Sequence, residues 1–89
     1  MATIGFENVV HWEGECIVVW ASTGQGRVQC KIPRDTIHCI PRFRDAISRE
    51  IVRDRNEIVD RLRPILIAKV AAGSEDGTIV LLPQDLQSA

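Results

Sequence analysis

The sequence predicts an α+β fold of two layers, an antiparallel sheet of three to four strands covered on one face by a long helix over about residues 42–72. Three observations predict it. Apolar residues at Ile40, Phe43, Ile47, Ile51, Ile58, Leu62 and Ile65 recur in steps of three, four and seven, the spacing of one helical face. Glu15 to Ile32 holds two strand-like runs separated by Thr23-Gly24-Gln25-Gly26, which is a hairpin pattern. Thr78 to Leu82 is a further apolar, β-branched run closed by Pro83, and its two apolar faces suit an inner strand. A helix with a single apolar stripe needs a flat apolar partner, and the strands supply it.

Within the hairpin, Glu15 to Ser22 has two apolar faces: Cys16, Val18 and Trp20 on one, Ile17, Val19 and Ala21 on the other. Arg27 to Ile32 alternates, with Val28, Cys30 and Ile32 inward and Arg27, Gln29 and Lys31 outward. A four-residue loop sets Ala21 opposite Val28 and turns Trp20 away from the helix; a five-residue loop slips the pairing by one and turns Trp20 toward it. In either register an apolar cluster is left on the far side of the sheet, which one helical layer cannot cover. Ile17, Val18 and Trp20 are therefore the candidate interface residues. The expected core comprises Val18 or Val19, Trp20, Val28, Cys30, Ile32, Ile37, Phe43, Ile47, Ile51, Ile58, Leu62, Ile79 and Leu81.

The remaining elements follow from local signals. Residues 1–7 form a possible ordered arm or short edge strand, and Val9 to Trp12 an extended piece entering a turn at Glu13-Gly14-Glu15. Pro33 to His38 suits one helical turn, with Pro33 at its start, Asp35 in its first turn, and Ile37 and Ile40 as buried contacts; Pro41 ends it. Pro64 removes an amide inside the main helix, so a kink there, or a second helix beginning at Pro64, is expected. Gly73 stops the helix, Glu75-Asp76-Gly77 is a turn, and residues 84–89 are a frayed tail.

Bulk properties narrow the function classes. Eighty-nine residues are expected to make one small domain over 1–89, with enough core to fold without staples. A net charge of -1 disfavours binding to polyanions by charge alone. No apolar run is long enough for a membrane helix, and no secretory signal pattern opens the chain. Three scattered cysteines, Cys16, Cys30 and Cys39, sit in segments that read as buried and suit a reducing compartment, so a cytoplasmic location is expected. Arginine outnumbers lysine nine to two.

No nucleophile, base and orienting group can be assembled, so no catalytic residue is named and no enzyme is expected. No cofactor or metal is expected either: His38-Cys39 would offer two ligands pointing about 100° apart on a helix with no completing motif, and His11-Trp12 reads as packing. A redox role for Cys39 would require an exposed thiol near Arg34 or Arg42. Arg42, Arg49 and Arg53 lie near one helical stripe and are the candidate nucleic-acid contacts. Acids are interleaved with them, Asp45 with Arg49, Arg53 with Glu57 and Glu57 with Arg61, each four apart, so a salt-bridged, solvated face is favoured over nucleic-acid binding.

The run ECIVVWASTGQGRVQCKIPRDTI, an arginine-rich helix with RNEIV, and the closing DGTIVLLPQDL together span most of the chain. In these motifs the sequence resembles the small bacterial proteins of domain of unknown function family 1488. The resemblance implies a compact α+β unit with an N-terminal hairpin, a long helix and a C-terminal strand, and it brings no assigned activity. The chain departs from that pattern at Pro64 and over residues 65–72. The expected function is a non-enzymatic interaction module, forming a homo-oligomer or docking a protein partner through the far sheet face, with a small nucleic-acid-binding regulator as the alternative.

Overall fold

A computed structural model describes residues 4–24, 26–73 and 77–87. The fold is α+β, with 43% of the described residues in helix and 35% in strand. β1 (Gly5–Glu13), β2 (Cys16–Thr23) and β3 (Gly26–Pro33) form an antiparallel meander. The chain then passes through α1 (Arg34–Ile37), a 3-10 turn at Pro41–Phe43, α2 (Ser48–Arg53) and α3 (Arg55–Ala71). It returns as β4 (Thr78–Val80) and ends in α4 (Pro83–Gln87). The strand order is β1-β2-β3-β4.

β4 runs parallel to β3, so the sheet is mixed rather than wholly antiparallel, and β4 is an edge strand rather than an inner one. The reason is the helical crossover. A strand, a helix laid back over the sheet and a second strand form a βαβ unit, which delivers the second strand in the direction of the first. The apolar composition of Thr78 to Leu82 serves a different purpose. Ile79 and Leu81 are buried, whereas Val80 and Leu82 are each 39% exposed.

The hairpin takes the register in which Ala21 pairs with Val28, with Thr23 opposite Gly26. Ile17, Val19 and Ala21 are fully buried beneath the helices with Cys30 and Ile32. Ile17 therefore belongs to the core, not to an exposed interface, and Trp20 and Val28 are only half-buried. The arm and the extended piece foreseen before Glu13 are one strand. β1 fits two extra residues between Phe6 and Val10, which pair with Ala21 and Val19, and this irregularity hides the alternation. A tight turn joins β1 to β2, with Gly14 at φ 55° and Glu15 at φ 65°; Glu15 accepts the left-handed conformation that glycine takes without strain.

The long helix breaks, but not at proline. Ile47 lies in extended backbone ahead of α2 and is 54% exposed, so it leaves the core that the periodicity gave it. A second interruption falls at Asp54, φ -105° and ψ 17°. Pro64 sits inside continuous α3. It is exposed, and so is Asp60, whose carbonyl loses the amide partner; on the solvent side of a helix water can take the place of that amide. The buried face of α3 is Ile58, Val59, Leu62, Leu66 and Val70, with Ile65 half-buried at its margin. Gly73, at φ 95°, follows the helix as its spacing requires.

The tail is tied down through Gln87. In α4 the Asp85 carboxylate accepts the Leu82 amide at 2.7 Å and pairs with Lys69 of α3, while Leu86 packs on the core. The foreseen turn residues 75 and 76, and residues 88–89 of the foreseen frayed tail, lie outside the described residues. Asp85 is held below the ordinary carboxylate range by its hydrogen bond from Lys69 and then by the Leu82 amide. Such a group contributes stability that is complete above the unfolded value near about 3.9 and is lost as pH falls through the depressed folded value. Asp85→Asn is expected to be less stable than wild type at neutral pH, the difference shrinking below about pH 4 in urea unfolding followed by circular dichroism.

Thr36 is the one buried polar residue among those described, and its hydroxyl donates to the Leu81 carbonyl at 2.6 Å. The Leu81 amide in turn donates to Lys31 at 2.8 Å. α1 thus anchors the exit from β4. Thr36→Val keeps the volume but orphans a buried carbonyl, and a loss of about 1–3 kcal/mol is expected. Thr36→Ser keeps the bond and loses one methyl, about 1 kcal/mol. Equilibrium unfolding of both variants checks the order.

Candidate functional site: the open sheet face

Alternation sends every second side chain of each strand to the face opposite the helices. On β2 these are Cys16, Val18 and Trp20; the register sets His11 of β1 and Lys31 of β3 on either side of Val18. Gln29 flanks Trp20, and Val80 of β4 extends the face past Lys31. The core cluster takes in residues from the sheet and from α1, α2 and α3, but none of Cys16, Val18, Trp20 or Val80. No described element crosses this face.

Its apolar centre is partly screened by the face's own side chains. Val18 is only 4% exposed, set between His11 and Lys31 in the register. Arg27 lies over the Trp20 ring, its guanidinium 4.5 Å from the centroid, and its Nε donates to Glu7 Oε2 at 2.9 Å. One arginine therefore crosses the central strand, joining β3 to β1 above the indole, where cation and aromatic face attract. Glu13, Cys16, Val18, Gln29 and Lys31 line a shallow groove of about 240 Å³ beside it. Of the three candidate interface residues, then, Trp20 and Val18 share the open face and Ile17 lies beneath it.

The candidate nucleic-acid arginines do not form one ridge. Arg42 belongs to the 3-10 turn and pairs with Glu57; Arg53 pairs with its neighbour Asp54 at 3.2 Å. Arg49 forms no ion pair among the described residues, and neither the Asp45–Arg49 nor the Arg53–Glu57 pair is made. Glu57–Arg61, at 3.2 Å, is. The break before α2 is the cause, since it removes Arg42 from the helical register of the other two.

Arg34 and Arg55 fasten the fold. Arg34 donates to Ser48, pairs with Glu15 at 3.1 Å and lies 5.6 Å from the Trp12 centroid, so it ties the first hairpin to the start of α2. Arg55 donates from Nε to the Val10 carbonyl at 2.7 Å and from Nη1 to Val52 at 2.6 Å, linking α3 to the bulged strand. Sequence spacing carries little signal for these, because Glu15, Ser48, Trp12 and the Val10 carbonyl are all far from their arginines in the chain.

Among the described residues no group of three histidine, cysteine, aspartate or glutamate side chains is placed to hold a metal ion. His38 Nε2 lies 3.0 Å from the Ala46 carbonyl, and the Cys39 thiol donates to the Asp35 carbonyl at 3.4 Å. All three cysteines are free: Cys30 buried, Cys16 half-buried, Cys39 exposed, the last against the expectation that all three sit inside. Burial pushes the Cys30 thiol up to about 11. At about pH 8 a chromogenic disulfide reagent should therefore modify Cys39 first, Cys16 more slowly, and Cys30 only once denaturant is added. Mass spectrometry of the trapped adducts reads the order.

The chain matches no protein-family model, no curated protein and no solved structure. No helix among the described residues is long and apolar enough to cross a membrane.

Proposed function

We propose that the protein is a non-enzymatic interaction module that binds a protein surface through the open face of its sheet. One observation carries the reading. The central strand places Cys16, Val18 and Trp20 on the side that no described element covers, while everything apolar on its other side is fully buried. An aromatic ring with a basic and an acidic partner, beside a shallow groove lined by Cys16 and Val18, suits a polar-rimmed protein contact. The resemblance to domain of unknown function family 1488 belongs to the same proposal and adds no activity to it; the three free thiols fit a cytoplasmic setting. The nucleic-acid reading is the weaker one, since Glu57 and Asp54 neutralise two of its three arginines.

A photo-crosslinking amino acid placed at Gln29, on the open face, and at Arg61, on the outer side of α3, tests the reading in cells that make the protein. Covalent adducts from Gln29 and none from Arg61 are expected. Equal labelling from both positions, or none from Gln29, overturns it.

A further inference from the structure

The open face is divided by charge. β1 brings Glu7 and Glu13 to it, and β3 brings Arg27 and Lys31. Glu7 and Arg27 satisfy one another across Trp20. Glu13 and Lys31 form no ion pair among the described residues, and they stand on opposite sides of the groove floored by Cys16 and Val18. A carboxylate on one side of a central apolar strand and an ammonium on the other make a surface complementary to itself.

Resting on the interaction reading above, we propose that the occupant of this face is a second copy of the chain, related by a two-fold axis running parallel to β2, so that Glu13 of each copy meets Lys31 of the other across Val18. A rotation about that axis exchanges left and right, laying β1 of one protomer over β3 of its partner. Glu13 pairs in the sheet with Cys16 and Lys31 with Val18, so the two charges are offset by one pairing step of two residues, about 7 Å along the strand. Sheets packed face to face lie about 10 Å apart, and extended glutamate and lysine side chains close both gaps together. An axis perpendicular to the strands would instead lay β1 on β1 and oppose like charges. Growth by edge pairing is disfavoured, because β1 is bulged and β4 offers three residues before Pro83.

Sedimentation velocity from about 10 μM to about 1 mM, a range that captures dimers of micromolar affinity, tests the proposal with the full chain under reducing conditions. Wild type is expected to dimerise. Glu13→Lys and Lys31→Glu each create two repulsive contacts per dimer and should weaken association about tenfold or more. Mixing the two single variants should restore the dimer as a heterodimer, since every contact is then attractive; a role for either residue in folding alone cannot produce that rescue. Circular dichroism identifies a variant that does not fold, in which case Glu13→Gln and Lys31→Gln, which remove charge without reversing it, replace the pair and should each weaken association by a smaller factor. A wild-type monomer at about 1 mM, or a dimer indifferent to both substitutions, overturns the second copy as occupant. Cross-links from Gln29 to a different protein would in that event leave the interaction face standing, and the absence of any Gln29 cross-link would remove both readings.

Discussion

The described helices between β3 and β4 all lie on one side of the sheet, and the rest of the architecture depends on that constraint. The crossover returns the chain to the end where β3 began, tied by the Gln29 amide donating to the Gly77 carbonyl at 2.8 Å, so β4 is necessarily parallel. The same crossover commits α1, α2 and α3 to a single layer. Ile17, Val19 and Ala21 are dry because these helices lie over them, and Val18 and Trp20 have only their neighbours' side chains for cover. One topological choice thus sets the strand direction, the content of the core and the existence of an open face.

Arginine repairs what this topology leaves unsatisfied. The bulge in β1 leaves a carbonyl at Val10 that Arg55 takes, and Arg34 holds the tight hairpin turn against α2 through Glu15 and Ser48. Arg27 spans Trp20, and Arg63 lies 5.7 Å from the Phe6 centroid at the other side of β1. A planar guanidinium stacks on a ring and donates in several directions at once, which an ammonium does not do, so the nine-to-two excess over lysine has structural uses in this chain. Ion pairs at the exposed positions contribute little individually. The half-buried contacts of Arg34 and Arg55 matter more, because each joins elements distant in sequence.

Elements governed by short-range periodicity were legible in the sequence, and elements governed by distant partners were not. The β2–β3 hairpin, the turn at Arg34–Ile37 and the stop at Gly73 follow from residues within a few positions, and the structure has them. The continuity of β1 was hidden because two extra residues reset its alternation halfway. Ile47 was misplaced because seven-residue periodicity spans a break as easily as a helix, while Pro64, the obvious breaker, faces water and breaks nothing. Leu66 and Val70 were missed because the helix was expected to end or bend before them. In the candidate site, alternation alone set Arg27, Gln29 and Lys31 outward, and only the pairing register decided whether Ile17 or Val18 lies on the face away from the helices.

The screening of the open face bears on how it would be used. An indole left bare would invite indiscriminate contact, whereas Arg27 and Glu7 cover Trp20 with a contact that is polar and exposed enough to rearrange. Any partner approaching that indole must match or displace one cation and one anion, which penalises surfaces of a single charge sign. A surface carrying acid and base on opposite sides of an apolar strip meets that condition, and this face is itself such a surface. Specificity here derives from the arrangement of charge, while the half-buried Cys16 and Trp20 supply apolar area to be removed from water.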